Sequence, residues 1–393
     1  VGSPAAAPAT PTGPILAVSF LASVGTGVTW SGLSFIAEAD FGYGKTANFA
    51  LASANGVAYA VGAFLASRVI RAAERFVSPR GMLAVLLLVQ AAIAPAVLLP
   101  VGSWILWAVG ILVSLASAIF WPLVESYLAG GRRRDELRHA MGAWNLSWMI
   151  AVGLSLAIVS PLGELGRMRF SVVAILPACL AAILFLPRFT TRPAAHPEEA
   201  DGPVPPNYAA LLASARVLLP VSYVVIGAIS PLLPYLLGKV GADSATQTPL
   251  AATWLFSRAI CVGVLWKLGG WHGKSGALVL GGTLLAGGFT LAVLAPSMPV
   301  LAAGLAVFGV GQGIIYSAAI YYAMSVGKAE IDAAGTHEGL IGVGYLSGPL
   351  LGLATSLAGG ADGAYVATIL GLMALSAVPA VRPLLRRSPA VAP

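Results

Sequence analysis

Residues 104–129 read WILWAVGILVSLASAIFWPLVESYLA, an uninterrupted apolar run whose one charged side chain is Glu125, and Gly130-Gly131-Arg132-Arg133-Arg134 follows at once. About 20 apolar residues in a helix cross the ~30 Å hydrocarbon core of a bilayer. The run exceeds that length and stops at a cluster of cations, so it predicts a membrane-spanning helix that is tilted or protrudes at one end.

Working outward, comparable stretches lie near Pro14 to Ala37, Thr46 to Ile70, Gly81 to Pro100, Ala140 to Leu162 and Phe170 to Pro187. Beyond them come Val217 to Leu237, Thr248 to Trp266, Gly276 to Pro296, Pro299 to Val326, Thr336 to Leu357 and Ala364 to Val381. With the first stretch, twelve spans are expected. The composition agrees: 58% of the 393 residues are apolar and 9% charged, where soluble domains carry about 45–50% and about 25%. A mean hydropathy of +0.88 leaves too few polar residues to cover a water-facing surface.

Other classes drop out on the same grounds. Two cysteines, Cys179 and Cys261, sit inside apolar runs and make no disulfide framework. His139, His196, His272 and His337 are scattered without ligand spacing, so neither a metal nor another cofactor is expected. The net charge of +7 does not point to nucleic acid, because the basic residues fall between apolar segments and not on one solvated face.

The placement of those residues orients the chain. With the N-terminus inside, loops on that side carry 17 Lys and Arg, the opposite loops carry 4 (Lys45, Arg167, Arg169, Lys239), and Arg258 alone lies within a span. This positive-inside bias predicts cytoplasmic termini in a bacterial-type inner membrane. Residues 1–13, rich in Ala, Pro and Thr, are expected to be a disordered tail, and residues 382–393 a cytoplasmic tail. Prolines 193, 197, 203, 205 and 206 make 188–216 a linker between six-helix halves at 14–187 and 217–381.

A weak internal repeat supports that division. Gly142-Ala143-Trp144-Asn145 precedes Gly335-Thr336-His337-Glu338 by 193 positions, Phe120-Trp121 precedes Ile315-Tyr316 by 195, and Tyr127 precedes Tyr322 by the same 195. Such parallel repeats build transporters whose halves are related by a pseudo-two-fold axis along the membrane normal.

Twelve spans, a long central linker and basic loops after spans 2, 4, 8 and 10 resemble the major facilitator superfamily over essentially the whole chain. The family's loop signature is degenerate here: Ser67 precedes Arg68 where an acidic residue is usual, Pro79-Arg80-Gly81 follows, and the later counterpart is Gly270-Trp271-His272-Gly273-Lys274. The stretch Gly344-Tyr345-Leu346-Ser347-Gly348-Pro349-Leu350-Leu351-Gly352 resembles a motif that antiporters of the family carry in span 5, but it stands in span 11 and reads as close helix packing. The resemblance implies an all-α fold and a monomeric carrier working by alternating access.

Ionisable residues inside spans cost about 2.5–3.5 kcal/mol on insertion scales, which makes them functional candidates. Arg258 lies near mid-depth of span 8 with Trp254 one turn earlier, so a substrate carboxylate could pair with the guanidinium while an apolar body stacks on the indole. The family's organic-anion carriers resemble this in placing an Arg in span 8. Glu125, one turn after the candidate substrate residue Trp121, stands seven residues before the Arg132 run; that spacing resembles an inner-gate pair of the family's sugar carriers, and direct substrate or proton binding by Glu125 is the alternative.

His337 and Glu338 open span 11, where Glu338 is a candidate for proton coupling or else a carboxylate in the first turn of the helix. Asn55, Asn145, Gln312 and Tyr316 are candidate cavity residues, and Trp104, Trp107, Trp266 and Trp271 read as interface anchors. The expected activity is secondary transport of a small organic solute, preferably an anion, with protons as the candidate coupling ion. The alternatives are a multidrug or sugar carrier of the same fold, a non-transporting sensor, or a lipid-modifying enzyme.

Overall fold

The computed structural model describes residues 8–132, 134–195, 205–326 and 331–385, with 134, 135 and 331–337 described by their backbone alone. Among them are 12 helical spans long and apolar enough to cross a membrane. In chain order, spans 1 to 6 are Thr12–Phe41, Lys45–Ala73, Pro79–Leu98, Trp104–Ala129, Glu136–Gly163 and Met168–Arg188. Spans 7 to 12 are Tyr208–Lys239, Gln247–Lys267, Ser275–Val293, Met298–Val326, Glu338–Leu357 and Asp362–Leu385.

Two span starts and the start of the chain differ from expectation, the span starts because hydropathy falls off before the helix does. Span 7 begins at Tyr208, ahead of Val217, since Arg216 interrupts the apolar count yet simply points outward from a continuous helix. The helix of span 11 begins at Ile331, which places Glu338 about two turns inside it and removes the first-turn role. At the start of the chain Thr10 is buried and bonded to Thr190 at 2.7 Å, so the ordered chain reaches into the expected tail. The acidic, proline-rich centre of the linker, 196–204, lies outside the described residues.

The contacts repeat with a shift of six. Span 1 packs on 5 and 6 as span 7 packs on 11 and 12; span 2 packs on 4 as span 8 packs on 10; span 3 packs on 4 as span 9 packs on 10. The two sets meet where span 2 crosses span 11 and span 5 crosses span 8. The shift is imperfect, because spans 3 and 6 pack together whereas spans 9 and 12 leave an apolar groove lined by Leu278, Ala286, Met373 and Ala377.

Small residues make the first crossing close. A Cβ on Gly56 would lie 2.6 Å from Leu346 Cα, and one on Gly342 would lie 2.7 Å from Ala60 Cα. Gly344 and Gly348 of the span 11 motif meet the backbone of span 7, so the motif serves packing. Span 1 widens into a π-helical stretch at Gly27–Gly32, which turns Trp30 inward.

The end opposite the basic loops is tied across the two sets. Lys45 bridges Asp362 at 3.1 Å, Lys239 reaches the same carboxylate at 3.4 Å, and Asn48 donates to the Tyr235 hydroxyl at 2.8 Å. Trp107 donates to the Tyr43 hydroxyl at 2.9 Å beside this seam, while Trp104 is exposed as an interface residue would be.

Candidate functional site: a caged arginine and a carboxyl pair

Arg258 is 2% exposed, yet no carboxylate lies within salt-bridge distance of it among the described residues. Aromatic rings surround it instead. The guanidinium carbon stands 4.6 Å from the Tyr316 ring, 4.9 Å from Trp148 and 5.9 Å from Tyr223, and Nη2 donates to the Tyr223 hydroxyl at 3.2 Å. Spans 5, 7, 8 and 10 each supply one member of this cage.

The local sequence explains how Tyr316 reaches the arginine. A Cβ on Gly313 would lie 3.1 Å from Arg258 O, and Gly309 abuts Trp254 O, so glycines one turn apart let span 10 ride against the backbone of span 8. Asn145 then fixes two rings at once, its Oδ1 accepting from the Tyr316 hydroxyl at 2.9 Å and from Trp148 Nε1 at 3.0 Å. Arg258 Nε and both amide atoms of the fully buried Gln312 have no partner within the protein. Buried polar atoms left unpaired are rare and mark places where another polar group can be received.

Glu338 and Glu125 form the second cluster. They stand close enough across spans 11 and 4 to interact, and the Tyr59 hydroxyl of span 2 donates to Glu338 Oε2. An ionised carboxylate only accepts, so any hydrogen bond between the two would need a proton on one of them. The Gly56 and Gly342 contacts of the span 2 to span 11 crossing bring Tyr59 to Glu338.

A row of rings joins the clusters. Tyr223, bonded to Arg258, lies 5.3 Å from Tyr345; Tyr345 lies 4.5 Å from Trp30 and 6.5 Å from Tyr59, and Trp30 lies 5.0 Å from Tyr59. A chain of edge-on and tilted aromatic contacts therefore runs from the cation to the carboxyl pair.

Several expectations are corrected by this geometry. Trp254 does not lie over the guanidinium; its ring packs on Phe308 at 5.7 Å, because the wall is built by neighbouring spans and not by the preceding turn. Glu125 does not pair with Arg132, the described member of the basic run. Arg132 folds back to donate to Tyr127 O at 3.0 Å, Leu128 O at 2.6 Å and Thr10 O, satisfying the carbonyls that end span 4.

Asn55 sits apart from both clusters. It packs on Gly110 in a small cavity with Trp30 and Tyr345, and its Oδ1 is unpaired. Trp121 is linked to the cage only through Trp144, 6.3 Å away, which lies 6.3 Å from Trp148. Trp266 and Trp271 are half-buried and line a slot between the spans at the basic end. The His337 side chain lies outside the described residues.

Sequence reasoning missed Tyr59, Tyr223, Trp148, Tyr345 and Trp30. The available signal was an aromatic residue with a polar tip deep in a span, since such tips find partners when buried.

The family model for the Major Facilitator Superfamily matches residues 15–326, and the chain belongs to that superfamily. It is a membrane transporter and not an enzyme. The crystal structure of the human organic anion transporter MFSD10 (TETRAN) is similar, with a TM-score of 0.67 at 16% identity over 94% of this chain and 98% of that one. A mutant of the nucleoside transporter NupG is similar at a TM-score of 0.65 and 14% identity, over 95% of this chain and 98% of its own. At these identities the likeness establishes the fold. No curated protein matches the chain by sequence.

Proposed function

We propose that this transporter carries a small organic anion, with Arg258 as the anion-binding residue and the Glu125–Glu338 pair as the carrier of a coupled proton. The observation behind this reading is the aromatic cage: a buried guanidinium with an unpaired Nε and no carboxylate beside it is poised to receive a carboxylate from a ligand. Gln312 and Tyr316 line the binding position and Asn145 positions its rings. The organic anion transporter among the similar folds is consistent with this substrate class.

In the proposed cycle the two six-span sets rock about the seams between spans 2 and 11 and spans 5 and 8, related by a pseudo-two-fold axis that the repeated contacts support. The test is the response of purified protein to carboxylates and to their neutral amides. Carboxylates should raise the melting temperature of the wild type, and their amides should not. Arg258→Lys, which lacks the planar fork, should lose about 100-fold in affinity and should not restore flux in proteoliposomes. Wild-type flux in Arg258→Lys, or equal stabilisation by amides, overturns the reading.

The basic end is assigned to the cytoplasm on the charge bias alone. On a background lacking Cys179 and Cys261, Leu165→Cys should react with an impermeant thiol reagent added to intact cells and Phe76→Cys should not; both positions are highly exposed. The reverse labelling pattern inverts the assignment.

A further inference from the structure

At the basic end a slot opens between spans 5, 8 and 10 and the 268–274 loop. Trp266, Trp271 and Tyr321 wall it, Arg138 stands among its lining residues, and Asn145 and Tyr316 of the arginine cage lie at its inner end. The cavity volume is about 60 Å³, and the slot opens beyond it at its mouth. Gly142 lets the Trp266 indole lie directly against span 5 at the seam, where a Cβ would strike it.

The loop wall is held in place by more contacts than a simple connection between spans needs. His272 stacks on Tyr321 with centroids 3.9 Å apart and planes 12° apart, and Trp271 approaches the same two rings at 4.6 and 5.2 Å. Trp271 Nε1 donates to Leu265 O at 3.0 Å, the Gly273 amide donates to the Tyr322 hydroxyl at 3.0 Å, and the hydroxyls of Tyr321 and Tyr208 bond at 3.1 Å.

Burial, with the Arg138 charge adding to it, holds the His272 imidazole below its ordinary range, so this ring is neutral near pH 7. Arg138 is then the one charged residue of the lining, and no carboxylate pairs with it among the described residues. A cation that served only the membrane surface would face outward to lipid headgroups; this one lines a narrow aromatic slot at the junction of the two six-span sets.

We propose that the slot is a second binding site, for flat aromatic anions, with the ligand ring among Trp266, Trp271 and Tyr321 and its carboxylate on Arg138. Binding there stands on the slot's own geometry; its use as a staging position for Arg258, through the shared Tyr316 and Asn145, rests on the function proposed above. The aromatic walls favour edge-on and stacked contacts with planar rings.

Photolabelling of the full chain in nanodiscs with 4-azidobenzoate tests the site. Adducts should map to the slot walls and be competed by benzoate. Arg138→Gln should lower slot labelling about tenfold, and Arg138→Lys should recover part of it. His272→Ala, which removes the ring stacked on Tyr321, should also reduce it, while Arg258→Gln should leave the slot adducts in place. Unchanged slot labelling in both Arg138→Gln and His272→Ala, adducts confined to the Arg258 cage, or no adduct at millimolar probe each overturn the site. Slot labelling that persists alongside normal flux in Arg258→Lys keeps this site and removes the central one.

Discussion

The arginine cage and the carboxyl pair solve one problem in opposite ways. Arg258 is a buried cation surrounded by rings, whereas Glu338 is a buried acid and Glu125 a half-buried one, with a tyrosine and, among the described residues, no cation at hand. A direct ion pair between them would neutralise both. The fold instead holds them apart by Tyr223, Tyr345 and Tyr59. An arginine already paired with a carboxylate has little to offer an incoming anion, and a carboxylate already paired with an arginine has little use for a proton. In the proposed function, separation leaves each cluster able to exchange its own partner, an anion at one and a proton at the other.

The largest effect that would break this comparison is expected at the acids. Glu338→Gln should abolish accumulation driven by a pH gradient in proteoliposomes while equilibrium exchange of the anion continues, since glutamine mimics a protonated side chain that cannot release its proton. Because Glu125 stands beside Glu338, Glu125→Gln should give the same phenotype and not the slowed exchange expected of a gate residue. Gradient-driven accumulation at wild-type levels in both variants would remove the pair from coupling.

A smaller effect sharpens the contrast. Asn145→Ala strands the Tyr316 hydroxyl and Trp148 Nε1, so it should weaken anion affinity about tenfold through a looser cage and leave the pH dependence of transport unchanged. Tyr59→Phe removes only the donor to Glu338 and should do the reverse, shifting the pH dependence with at most a ~2-fold change in affinity. If the two substitutions exchange phenotypes, as read by ligand titration and flux against pH, the clusters are not separate devices.

Much of the architecture is legible in the chain. Trp104–Ala129 is a span by sequence and the same span in the structure, and Arg258, Glu125 and Glu338 stand out in the sequence by the cost of charge in a span. What misled was reading partners along the helix. Trp254 precedes Arg258 by one turn and Glu125 precedes the arginine run by two, yet in both cases the true neighbours come from other spans. Arg132 was drawn away by the unsatisfied carbonyls at the end of its own helix, a local demand that charge spacing does not reveal.

The sequence by itself determined the number of spans, the basic and non-basic ends and the membrane class, because apolar run length and charge placement are local quantities that a bilayer reads directly. Only the tertiary structure decided who meets whom. Tyr59 and Glu338 are 279 positions apart, and Asn145 and Tyr316 are 171 apart. Their meetings depend on glycines that let spans 2 and 11, and spans 8 and 10, approach backbone to backbone. A glycine in an apolar run marks where a helix can be approached, but which helix approaches is fixed by the packing of all twelve spans.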